Sequence, residues 1–131
     1  MNKYCLLFIV IGLFNILNGC GSASPDMLRN NHAAKDVIYT QGEASRFSII
    51  LYDKLLNSNL NLNISSPVKS EDKYYIYIYG ANLRIGIILI DIESVDINKI
   101  EASIYLYNNI FSSEFREVKS IINSIQTSSP Q

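Results

Sequence analysis

Two side-chain types in this 131-residue sequence could begin covalent or acid–base chemistry: the thiols of Cys5 and Cys20 and the single imidazole of His32. A thiol serves as nucleophile, metal ligand, half of a disulfide, or acceptor of a thioether-linked group, and all but the last need partners at set spacings. His32 lies in Asn30-Asn31-His32-Ala33, with no Cys or acid placed beside it, and no GxSxG elbow exists to supply a serine. Gly80 and Gly86 belong to neither a GxGxxG turn nor a P-loop. Asp91, Glu93 and Asp96 are the densest acids, and 91 and 93 share a strand face, so a Ca²⁺ contact is conceivable there. They lack the spacing and the glycine of a calcium loop and read as a solvated strand end. The expectation is no catalytic residue, no metal and no cofactor.

Cys20 is different, because of what precedes it. Met1-Asn2-Lys3 is a short basic start, and Tyr4 to Leu17 is an apolar run broken by Gly12 and Asn15. That is the layout of a secretory signal, and the run is shorter than the roughly 20 apolar residues of a membrane span. It ends in Leu17-Asn18-Gly19-Cys20, which resembles the lipobox of bacterial lipoproteins, with Asn18 where Ala or Ser is more usual. The resemblance covers the first 20 residues. It implies a diacylglycerol on the Cys20 thiol, often with a further chain such as palmitate on its amine, and cleavage between Gly19 and Cys20. It also implies anchorage in the cell envelope, and Gly21 favours the outer membrane, facing the periplasm. Two or more acyl chains hold a protein stably, at about 0.8 kcal/mol per buried methylene. Cys5 would leave with the signal, so the mature domain would contain no disulfide, thiol nucleophile or thiolate metal site.

The elements beyond the signal form one domain, which is large enough for a core of its own. Residues 20–42 read as the lipidated cysteine and a tether, opening with the small polar stretch Gly21-Ser22-Ala23-Ser24-Pro25-Asp26 and, over Met27 to Tyr39 with its apolar Val37-Ile38-Tyr39, either a short helix or a strand laid on the sheet. Thr40-Gln41-Gly42-Glu43 has capping-box spacing, and Phe47, Ile50, Leu51 and Leu55 predict an amphipathic helix over 43–57. Leu60, Leu62 and Ile64 alternate as a short edge strand, and Val68 to Asp72 reads as a polar connection. Three strands follow: Tyr74–Tyr79, Leu83–Ile92 with apolar residues on both faces, and Ile100–Tyr107 with strict alternation. Ser112-Ser113 begins a last helix with Phe115, Val118, Ile122 and Ile125 on one face, before a polar tail at 127–131. The expected fold is α+β over residues 43–126: a three- to four-stranded antiparallel meander with two amphipathic helices on one face, a two-layer sandwich.

In that arrangement Tyr75, Tyr77, Tyr79, Tyr105 and Tyr107 cover the open face. They would serve either as a partner-binding wall or as cross-strand pairs shielding a half-exposed sheet. Charge narrows the partner. Lys3 is the only charged residue among 1–19, so 11 − 1 leaves ten basic against twelve acidic side chains. A weakly acidic domain is not built for nucleic acid. The expected function is a lipid-anchored, non-catalytic protein-binding domain, with an immunity protein against a periplasm-acting toxin as the leading version. The alternatives are an accessory or pilot lipoprotein of a secretion or pilus machine, a carrier of an apolar ligand, and, furthest off, a hydrolase with scattered residues.

Overall fold

A run such as Gly86-Ile-Ile-Leu-Ile-Asp-Ile can lose both faces to water only at the centre of a sheet that is covered on both sides, and it sits there. A computed structural model describes residues 24–80 and 86–128; Gly19, Cys20 and the rest of the stretch read as a signal lie outside the described residues. The elements are α1 (Pro25–Asn30), β1 (Ala34–Gln41), α2 (Ala44–Leu56), β2 (Asn63–Ile64), β3 (Val68–Ser70), β4 (Lys73–Tyr79), β5 (Gly86–Asp96), β6 (Lys99–Leu106) and α3 (Ser112–Ser128). The fold is α+β. Its sheet is open and antiparallel, with strand order β1-β6-β5-β4-β2 and β3 also on β4.

The predicted meander is β4–β5–β6, in register from Tyr74↔Ile92 and Ile90↔Ile104 outward. The sheet is nevertheless wider than the three to four strands expected. Val68–Ser70, read as a connection, pairs with Tyr75–Lys73 of β4. Residues 34–41, read as tether, form β1 along the whole of β6, from Ala34↔Leu106 to Gln41↔Lys99. The tether assigned to 20–42 is therefore corrected: residues 25–41 are folded structure. β1 misled because its inward side carries only the small Ala34, Ile38 and the polar Thr40 toward the core; Asp36 on the same side instead meets Lys119 of α3 at 3.2 Å.

The two long helices lie on one face, as expected. α2 crosses β4, β5 and β2, and α3 crosses β1 and β6. Phe47, Leu51 and Leu55 of α2 meet Phe115, Val118, Ile122 and Ile125 of α3 over Ile76, Ile78, Ile88, Ile90, Ile92, Ile100 and Ile104. Each fully buried large apolar side chain contributes about 1.5–3 kcal/mol, which is what holds two helices that could not persist alone.

The helix starts differ from the sequence reading. Thr40 does not cap α2; it is the inward residue of β1, only 4 % exposed, and Glu43 stands at the N-cap without a side-chain bond. Gly42, at φ +129°, makes the turn from strand to helix that a side chain would strain. Before α3 a 3₁₀ turn, Asn109–Phe111, is capped by Asn108, whose Oδ1 accepts from the Ile110 amide at 3.0 Å.

Candidate functional site

The face opposite α2 and α3 is the open one that the tyrosines were expected to cover. It is not open. α1 lies across it. Ser24 caps α1 by accepting from the Met27 amide at 3.2 Å, Pro25 stands in the first turn where its missing N–H costs nothing, and Asp26 sits at the positive end. The helix holds on by two residues. Leu28 is fully buried against Leu89 and Tyr105, with Tyr75 and Tyr77 packed at the edge. Arg29 donates from Nε and Nη2 to the two oxygens of Asp91, both at 2.8 Å, and a third bond reaches Asp26 at 2.8 Å. The hydrogen bonds it donates to Asp91 raise the Arg29 pKa further, against the opposing effect of burial, so the guanidinium stays charged. The Arg29 plane also sits 5.6 Å from the Tyr75 ring centre.

The five predicted residues therefore divide. Tyr105 is 8 % exposed beneath α1, with His32 edge-on at 5.1 Å and Lys35 above it at 5.2 Å. Tyr75 is half-buried under Arg29, and Tyr77 and Tyr79 are half-buried and stacked at 6.0 Å. Tyr107, just past β6, is exposed. Tyr39, which the sequence reading did not place on this face, joins it through its pairing with Glu101 and carries Lys99 at 4.8 Å from its ring centre. The wall exists in part, but its centre is a socket already filled by Leu28. Leu28 and Arg29 are the residues that sequence reasoning missed. Their signal was present, because Ser24-Pro25-Asp26 is an N-cap, a first-turn proline and a first-turn acid in sequence.

The acids also have their roles. Asp91 is neutralised by Arg29, Glu93 lies 3.5 Å from Lys73, and Asp96 Oδ1 accepts from the Ile97 amide at 2.8 Å. The guanidinium takes one lone-pair site on each Asp91 oxygen and offsets the carboxylate's charge, which weakens its pull on a cation. Among the described residues no three His, Cys, Asp or Glu side chains gather as a metal site, and no helix is long and apolar enough to cross a membrane. His32 Nδ1 lies 2.9 Å from the Leu28 carbonyl, where it closes the end of α1.

No protein-family model and no curated protein matches this chain. Its chemistry has to be read from its own geometry.

Tyr77 carries a measurable consequence of that geometry. Its hydroxyl is buried and finds no hydrogen-bond partner among the described residues. Burial pushes its pKa above the ordinary value of 10.0, and the nearby Gly86 backbone offsets this only in part. The neutral phenol is thus the folded form, so its contribution is complete below the unfolded pKa and is lost as pH rises through the folded one. Tyr77→Phe is expected to reduce the alkaline fall in unfolding midpoint above about pH 10 and to leave neutral-pH stability unchanged or slightly raised. Urea titrations across that range check this; equal alkaline slopes for the two proteins would refute it.

Proposed function

We propose that this chain is a bacterial lipoprotein, acylated on Cys20, cut after Gly19, and displayed at the outer membrane on the periplasmic side. It would work as a non-catalytic protein-binding domain. The observation that carries the reading is the lipobox Leu17-Asn18-Gly19-Cys20 at the end of an apolar run, four residues before the first described residue, Ser24. The exposed surface supports contact with a protein. On the outer side of α2, Ile49 is 64 % and Leu56 52 % exposed, with half-buried Tyr52 between them at helical spacing. An apolar strip turned to solvent is of more use to a partner than to the fold.

An immunity protein that neutralises a toxin acting in the periplasm is the version preferred. A small, weakly acidic domain whose Arg29, His32 and Asp91 are engaged in its own structure suits such a blocker. The carrier reading draws less support. Among the described residues the space between the helices and the sheet is filled by side chains, and two cavities, of about 540 and 330 Å³, open at the surface beside Ile97 and between Glu43 and Ile125.

Cys20→Ala is expected to accumulate as a precursor still carrying residues 1–19 and to take up no fatty acid. Normal processing of that variant would end the lipoprotein reading. Affinity capture of the native protein from gently crosslinked cells tests the rest. A single secreted protein that the chain neutralises supports immunity. A set of secretion or pilus components would replace it with an accessory role.

A further inference from the structure

We infer that the tyrosine face, with α1 on it, is the side that lies against the phospholipid surface. The inference rests on acylation of Cys20. From Cys20 to Ser24 there are four peptide units, and an extended chain spans at most about 3.5 Å for each, or about 14 Å. The domain cannot swing free beyond that reach, because α1 is not a leash. Leu28 is seated with no exposure, and Arg29 grips Asp91 on β5 with two bonds of 2.8 Å. A pull on the anchor is thus a pull on the middle of the sheet. Turning α2 and α3 to the membrane would require the chain to pass from α1 around the sheet and the helix layer. Each of these layers is about 10 Å thick, so that path exceeds the reach of four residues.

Composition then selects the face over the edges. Tyr39 and Tyr107 are 48 % and 40 % exposed, Tyr75 and Tyr79 half-buried, and Lys35 and Lys99 arch over tyrosine rings at 5.2 and 4.8 Å. Tyrosine with lysine alongside is the composition that settles at headgroup depth, where the ring is half in apolar surroundings and the amine reaches water and phosphate. The same face also holds Arg29 on Asp91, Lys73 by Glu93, and Glu101, so charges of both signs are interspersed over it. Contact should therefore depend on rings and hydrogen bonds and only weakly on anionic lipid or salt. The apolar strip of α2 then points away from the bilayer, where a soluble partner can reach it.

The test uses the mature acylated protein in vesicles of phosphatidylethanolamine and phosphatidylglycerol. Its Cys20 sulphur is a thioether there, so one added cysteine is the only reactive thiol. Lys35→Cys places a fluorophore on the tyrosine face and Arg116→Cys places one on exposed α3. Lipids with a nitroxide on the headgroup should quench the label at 35 several-fold more than the label at 116, with little change in high salt. Equal quenching, stronger quenching at 116, or none at either site would overturn the orientation while leaving the anchor intact. Mass analysis of the N-terminal peptide separates the two ideas: a Cys20 without acyl chains would remove the lipoprotein reading and this inference with it.

Discussion

Leu28→Ala is expected to lower unfolding free energy by about 2–5 kcal/mol, the range for a fully buried leucine cut to alanine. Its more telling effect is local. α1 has six residues, far fewer than a helix needs to persist in water, so what holds it is the socket of Leu89, Tyr105, Tyr75 and Tyr77 together with the Arg29–Asp91 pair. With the leucine gone, one of its two fastenings is lost. Amide exchange over residues 25–31 should rise more steeply than over β5 and β6, and the tyrosines should become more accessible to solvent quenchers. Protection of α1 equal to wild type would mean that Arg29 alone fixes it and that the socket matters little.

Gly86→Ala should cost about 1–3 kcal/mol through overpacking. Gly86 opens β5 opposite Tyr79, and a Cβ there would overlap the hydroxyl and ring of Tyr77. That ring cannot simply turn aside, because it lies between Tyr79, stacked at 6.0 Å, and the Leu28 socket. The measurement is a double-mutant cycle. In a Tyr77→Val background the alanine should cost much less than in the native background. Strictly additive effects would show that the overlap is not what the glycine relieves.

These two sites also show where sequence reasoning reached and where it stopped. The meander was legible because Ile76, Ile78, Ile100 and Ile104 alternate with polar or aromatic neighbours, and β5 was legible as central because Ile88, Leu89 and Ile90 leave no face for water. The helix faces of α2 and α3 followed from simple periodicity. β1 and α1 were harder to see. In β1, Asp36 sits on the core side and is compensated by Lys119, a residue 83 positions later. That compensation cannot be read from a local pattern. α1 is too short to show periodicity, and its one buried residue, Leu28, looks like any single leucine in a polar stretch. The site suffered most from this. Counting tyrosines on a face gave the right side for Tyr75, Tyr77 and Tyr105, but not that a helix had already taken the centre. The purpose of Gly86 was likewise hidden, because its reason is Tyr77 on the neighbouring strand.

The pairing of β1 with β6 bears on how the chain is made. Ala34 meets Leu106, so the first strand of the described residues closes against the last, 72 residues downstream. Local contacts form early and long loops close late. As the chain leaves a ribosome or a translocation channel amino-end first, β1 has no partner until nearly the whole domain has emerged. The β1 segment would stay unpaired through that interval. On the lipoprotein reading, it is the state in which Gly19 and Cys20 must be reached by the enzymes that acylate and cut. Completion of the sheet would then follow maturation, with the lipid already in place when α1 docks.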